Sequence, residues 1–178
     1  MLTPVINFLL ALGISTNFFT FAQNSELQPK DRVLAPVITF VLMQIILFII
    51  GWGLAQLLGG LVEGNEQVLY TALLVVIGLK RIVRFFTVKK EARGFVIREM
   101  FSLAGLSLAV AIDSLIFGLG FGLAASGAGY MILLLVLATL FSGLAGIFLK
   151  QRNTKSYGAT AELISGFLIL VVAIFVFY

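Results

Sequence analysis

The chain has 178 residues, of which 61% are hydrophobic and 11% are charged, and its formal net charge is +4. A soluble domain of this length does not need so large an apolar fraction, so the composition predicts a membrane protein. The absence of cysteine and histidine from the sequence excludes disulfides, thiolate metal sites and imidazole ligands.

Six hydrophobic runs follow one another along the chain, and each is long enough for a helix that crosses a bilayer. The connections between them are too short for an extramembrane domain, and the N-terminus lacks the features of a removable signal peptide. The sequence therefore predicts an all-α polytopic membrane protein with six transmembrane helices. The predicted spans are 3–22, 34–58, 68–86, 100–124, 128–149 and 159–177.

The basic residues are distributed asymmetrically. All 12 Lys and Arg residues fall in or beside the first, third and fifth connections between the spans. These three connections lie on one side of a six-helix arrangement, and the positive-inside rule makes that side cytoplasmic. Both termini are then expected outside. The location of the basic residues therefore explains the net positive charge by membrane topology and not by nucleic-acid binding.

The first three spans resemble the last three in sequence. Each unit has three helices, an odd number, so the second copy must be inverted relative to the first. Inverted repeats are typical of transporters whose substrate site lies near the midplane. The sequence predicts two inverted repeats, 1–98 and 99–178, within a single membrane domain. The aligned pairs are Asn17 with Asp113, Gly51 with Gly143 and Gly78 with Gly166.

Asp113 is the only acid near the centre of a predicted span. A carboxylate at that depth is costly, so it usually faces a protein interior or an aqueous cavity and marks a functional site. The alternative is a structural ion pair with Lys80 or Arg84, although these residues could instead snorkel to the cytoplasmic interface. Asn17 either shares the site or forms an interhelical hydrogen bond that only stabilises the bundle.

Glu162 lies near the start of the sixth span. Two interpretations are open. An acid in the first turn of a helix interacts favourably with the helix dipole, and the same carboxylate could serve as an entry ligand for a cation from the cytoplasmic side.

Four short stretches, taken together, resemble the bacterial manganese efflux pump family (MntP type), whose members have six helices in two inverted repeats. The resemblance implies a secondary transporter of the bacterial cytoplasmic membrane that exports Mn²⁺ or a related ion by alternating access coupled to protons. Asp113 would be a ligand or a proton acceptor, and no cofactor would be permanently bound. The stretches are Ala109-Val-Ala-Ile-Asp113-Ser-Leu-Ile-Phe-Gly118, Gly51-Trp-Gly53, Ile77-Gly-Leu-Lys80 and Ala161-Glu162-Leu-Ile-Ser-Gly166.

The chain departs from the family pattern where ion chemistry is expected. The acid of helix 1 is replaced by Asn17, an acid common in helix 2 by Gln44, and the acid near the end of helix 3 by Arg84. Mn²⁺ prefers several oxygen ligands and is better neutralised by two carboxylates than by Asp113 alone. Thr16 and Ser114 are candidate neutral ligands. The departures also favour two alternatives to Mn²⁺: that Asp113 binds a proton or a monovalent ion, or that the protein transports a different substrate.

Three functional classes follow. The first is the cation exporter, with the bilayer, the cation and protons as its partners and with a homodimer left open. The second is a non-transporting membrane protein in which Asp113 holds the bundle together through an ion pair. An enzyme is the least favoured, because the chain offers few groups for general acid–base chemistry.

Overall fold

A computed structural model of the chain describes residues 4–26, 34–87, 95–96, 100–124, 127–152 and 157–177. The described residues form six long helices, and a 3-10 turn at Gly59–Leu61 follows the second. The predicted all-α fold and its six helices are confirmed, with boundaries that agree within three residues. The helices are α1 (Pro4–Asn24), α2 (Leu34–Leu58), α3 (Glu66–Thr87), α4 (Met100–Ala124), α5 (Ala128–Arg152) and α6 (Gly158–Phe177).

Four of the described helices, α1, α2, α5 and α6, are long and apolar enough to cross a membrane. In α4 the qualifying apolar stretch is the shorter Val110–Ala124, and α3 carries three basic residues in its second half. Large apolar side chains such as Leu137, Phe141 and Phe148 are exposed along the outside of the bundle. An apolar outer surface of this kind suits a lipid environment, and the protein is a multi-pass membrane protein.

The two halves of the chain are interleaved. α1 packs against α5 and α6, α4 packs against α2 and α3, and α3 packs against α6. Among the described helices, every extensive contact joins a helix of the first half to a helix of the second. Exchanging the halves leaves this pattern unchanged, because the contacts of α1 in one half correspond to those of α4 in the other. The inverted repeat itself stays a prediction.

Glycines allow the interleaved helices to approach closely. A Cβ on Gly51 of α2 would lie 2.1 Å from the carbonyl oxygen of Leu115 on α4, and a Cβ on Gly118 of α4 would lie 2.2 Å from that of Phe48. Real Cβ atoms do not come so near to backbone atoms. Close approach of helices at small residues is typical of membrane proteins, and here it joins α2 to α4.

The described residues of the first, third and fifth connections meet at one end of the bundle, which we call the basic end. Two short strands, β1 (Ser25–Glu26) and β2 (Phe95–Val96), pair in parallel and bring the first and third connections together. Gln23, in the last turn of α1, donates to the carbonyl oxygen of Gly146 and accepts from the backbone nitrogen of Tyr157. These bonds place Tyr157, the last residue of the fifth connection, at the same end.

The largest apolar cluster fills the half of the bundle away from the basic end, and we call it the distal core. It closes that half around Tyr70 and Phe117, whose ring centroids are 6.5 Å apart. The polar and charged side chains described below therefore lie between the distal core and the basic end. The buried members of the distal core are Leu10, Ala11, Ile14, Phe48, Tyr70, Leu74, Ile77, Phe117, Phe121, Met131, Leu135, Ala138, Ile169, Val172, Ala173 and Val176.

Candidate functional site

Asp113 lies at the middle of α4 and is only 3% exposed. Its Oδ2 accepts a hydrogen bond of 2.9 Å from Nδ2 of Asn17 on α1, and the same nitrogen donates to the carbonyl oxygen of Val110 at 3.2 Å. Two cations of α3 lie against the carboxylate: Nζ of Lys80 is 2.5 Å from Oδ1, and Nε of Arg81 is 3.3 Å from Oδ2. The carboxylate is thus bound by two basic groups and one amide.

Arg81 is 1% exposed, and it makes several hydrogen bonds in addition to its ion pair with Asp113. Its Nη1 donates to the carbonyl oxygen of Gly13 at 2.5 Å and to Oγ of Ser165 at 2.7 Å, and its Nη2 donates to the carbonyl oxygen of Ile14 at 3.1 Å. A buried guanidinium is stable only when it is paired and hydrogen-bonded. This single side chain therefore binds α1, α4 and α6 at once.

Sequence reasoning alone does not select Arg81, although a signal exists. The buried face of α3 carries Tyr70, Leu74, Ile77 and Arg81, which follow one another at the spacing of one helix face. Lys80 lies beside that face, and its side chain is 45% exposed. The helical periodicity of α3 is therefore the signal that distinguishes Arg81, which faces inward, from the adjacent Lys80.

Arg84 does not pair with Asp113. Its Nη1 lies 3.2 Å from Oε1 of Glu162, and the side chain of Arg84 is 39% exposed whereas that of Glu162 is 4% exposed. The expectation that Glu162 occupies the first turn of α6 is wrong, because α6 begins at Gly158 and its first turn contains no acid. Glu162 is instead a buried partner for a basic residue of α3, one turn inside the helix.

Gln44 belongs to a separate neutral cluster where α1, α2 and α5 meet. Oγ1 of Thr139 lies 2.9 Å from Oε1 of Gln44 and 2.9 Å from Oγ of Ser15, and Nε2 of Gln44 lies 3.5 Å from the same serine oxygen. All three side chains are almost fully buried. Their polar atoms are hydrogen-bonded to one another, so this cluster stabilises the packing of three helices and is not part of the Asp113 ion pairs.

The two candidate hydroxyl ligands have different surroundings. Oγ1 of Thr16 donates to the carbonyl oxygen of Leu12 in its own helix at 2.9 Å, and Thr16 lines a groove of about 320 Å³ between α1, α5 and α6. Ser114, which follows Asp113 in the sequence, is buried. The lining of the groove also includes Gly13 and Ser165, which accept hydrogen bonds from Arg81.

The charges of this region do not form a ready-made divalent metal site. The ion pairs join three basic groups, those of Lys80, Arg81 and Arg84, to two carboxylates, those of Asp113 and Glu162. Within the described residues, no group of three or more His, Cys, Asp or Glu side chains could hold a metal ion. A cation that binds Asp113 must therefore compete with basic groups of the protein itself.

Comparison with protein families identifies the family of the chain. The family model described as "Putative manganese efflux pump" (Mntp) matches residues 28–177, which is most of the chain. The matched region begins after α1, so Asn17 lies outside it while Gln44, Lys80, Arg81, Asp113 and Glu162 lie inside it. No curated protein and no solved structure resembles the chain closely enough to count as a match.

Proposed function

The chain belongs to the manganese efflux pump family, and from that premise we propose that it is a secondary transporter that exports a small cation, Mn²⁺ or a related ion. The observation that carries the proposal is the buried carboxylate of Asp113 at the middle of a membrane helix, with the amide of Asn17 against it. Ionisable residues at that depth mark ion pathways. The pumps of this family are transporters, not enzymes.

In this proposal Asp113 supplies the charged ligand and Asn17 a neutral one. The hydrogen bonds from Asn17 to α4 use its amide nitrogen, so its carbonyl oxygen is the atom that would face a cation. Thr16 and Ser114 would contribute only after their side chains reorient. Glu162, nearer the basic end, is the candidate acid for the approach of the ion from that side.

We further propose that the basic end faces the cytoplasm of a bacterial cell and that both termini lie outside. The positive-inside rule supports this orientation, because the described residues of the first, third and fifth connections lie at the basic end and the Lys and Arg residues of the sequence fall in or beside these connections. Proton-coupled alternating access is the corresponding transport mechanism. Because the halves are interleaved, access would alternate through shifts of individual helices more readily than through rocking of residues 1–98 against 99–178.

A second candidate function is supported by the ion pairs. In a non-transporting protein, Asp113 would serve as the partner that lets Arg81 join α1, α3, α4 and α6. The position of two basic groups on the carboxylate favours this reading, because such an arrangement opposes a further cation.

The test is Mn²⁺ flux into proteoliposomes under an imposed proton gradient. We expect flux in the native protein and its loss, by at least tenfold, in Asp113→Asn, because that change removes the charged ligand. The matched control is Glu63→Gln, which also replaces an acid by its amide but at an exposed position, and it should keep native flux.

The outcomes separate the two functions. Native-like flux in Asp113→Asn would rule out the transport role of this carboxylate. If no variant transports, while Asp113→Asn lowers the melting temperature in detergent, the structural function is correct. If the native protein is silent and Asn17→Asp transports Mn²⁺, the chain is a transporter that no longer accepts divalent metal.

A further inference from the structure

The two cations on Asp113 are held in different ways. Arg81 is almost fully buried and has hydrogen bonds to Gly13, Ile14 and Ser165 in addition to its ion pair. Lys80 is bonded to Oδ1 of Asp113 in the same structure, but nearly half of its side chain is exposed. One cation is therefore fixed by the surrounding helices, whereas the other is held at its tip and lies at the surface of the bundle.

We propose that Lys80 is a tethered cation that occupies the position of the cargo on Asp113 and leaves when the cargo binds. This inference rests on the proposed function, since it concerns the regulation of the same site. It identifies the ammonium group of Lys80 as an internal competitor of the transported ion, and it makes Lys80 a determinant of cation affinity.

The two oxygens of the carboxylate divide these roles. Oδ2 accepts from Asn17 and lies near Nε of Arg81, whereas Oδ1 is bound by Lys80. If Nζ of Lys80 withdraws, Oδ1 becomes available to an incoming cation while the bonds to Oδ2 keep the carboxylate in place. The cargo ligand is thus positioned before the cargo arrives, which reduces the reorganisation that binding requires.

Charge balance explains why a tethered cation is useful here. A buried carboxylate oxygen without a partner is costly. Arg81 stays on Oδ2, whereas Lys80 is the cation on Oδ1. Lys80 therefore supplies a partner for Oδ1 when no cargo is present, and the cargo takes over that role when it binds. Exchange of one cation for another therefore avoids a state in which Oδ1 is bare at the middle of the bundle.

Lys80 is suited to leave and Arg81 is not. A lysine ammonium is a compact charge on a flexible four-carbon stem, and such a stem can lie along apolar surface while the charge moves towards the interface. Withdrawal of Arg81 would break three further hydrogen bonds within the bundle. Arg84, one turn nearer the basic end, is engaged by Glu162 and does not take the place of Lys80.

The decisive experiment compares Mn²⁺ binding to the full-length native protein, Lys80→Met and Lys80→Arg in detergent, by equilibrium dialysis. Lys80→Met keeps the size of the side chain and removes the charge, so Mn²⁺ should bind at least tenfold more tightly. Lys80→Arg keeps a cation and should bind no more tightly than the native protein. Binding to Lys80→Met that is equal to or weaker than native binding would overturn the inference.

A second measurement uses the native protein and does not depend on the folding of a variant. Lys80 should be modified by an amine-reactive reagent several-fold faster when Mn²⁺ is present, and the other lysines serve as internal controls in the same mass spectrum. In Asp113→Asn, modification should be fast with or without Mn²⁺. Mn²⁺ binding that leaves the modification rate of Lys80 unchanged would contradict the displacement.

This inference and the proposed function can fail separately. Tight Mn²⁺ binding by Lys80→Met together with absence of flux in the native protein would support the tethered cation and contradict manganese export. Flux in the native protein, together with equal Mn²⁺ affinity of the native protein and Lys80→Met, would support manganese export and contradict the tethered cation.

Discussion

Lys80 and Arg81 are adjacent in the chain and carry the same charge, yet their surroundings differ because α3 turns by about 100° per residue. Arg81 falls on the face with Leu74 and Ile77, where water is excluded, and its guanidinium must find all its partners inside the bundle. Lys80 falls at the edge of that face. Neighbouring basic residues of a membrane helix therefore contribute differently to stability and to ion binding.

We expect Arg81→Met to be among the most destabilising single substitutions in the described bundle. Removal of one partner of a buried ion pair costs about 3–5 kcal/mol, because the remaining group is left without compensation. Lys80→Met should cost clearly less, since Asp113 keeps Arg81 and the lysine is partly exposed. Thermal unfolding of both variants in the same detergent checks this order, and equal losses would contradict it.

The α2–α4 pair shows how helices, once formed, are brought into contact. Gly51 lies against the backbone of α4 near Leu115 and Leu119, whereas a Cβ on Gly53, two residues later in α2, would meet nothing within 4 Å. Both glycines reduce the intrinsic stability of the helix to a similar extent. Only Gly51 is required for packing, because only there would a side chain meet the backbone of another helix.

Alanine substitutions at these two positions form a matched pair. Gly51→Ala should destabilise the protein by about 1–3 kcal/mol, because the added methyl group forces α2 and α4 apart. Gly53→Ala should be neutral or stabilise it by up to about 1 kcal/mol through helix propensity. Melting temperatures of the two variants test the expectation, which a similar loss at both positions would disprove.

The molecule as a whole depends on contacts between its halves. The extensive packing of the described helices runs between residues 1–98 and residues 99–178, and Arg81 of the first half binds Asp113 and Ser165 of the second. Among the described residues, neither half therefore forms a separate core. The distal core likewise combines residues from both halves.

Separate expression of the two halves tests this dependence. We expect fragments 1–98 and 99–178 to be degraded or to aggregate when each is made alone, and to co-purify as a complex when made together. The measurement is the recovery of the untagged half with its tagged partner from solubilised membranes. A stable, monodisperse fragment obtained alone would show that a half possesses sufficient packing within itself.

The six helices, the asymmetric placement of the basic residues and the position of Asp113 as a lone acid within an apolar run could all be predicted from the sequence, because each is a property of neighbouring residues along the chain. The tertiary structure decided the partners of the charges. Arg81, not Arg84, binds Asp113 beside Lys80, and Arg84 binds Glu162. Gln44 joins Ser15 and Thr139 instead of the carboxylate. These pairings depend on how each helix is rotated and which helix lies opposite, and apolar membrane helices of similar composition carry little information about either.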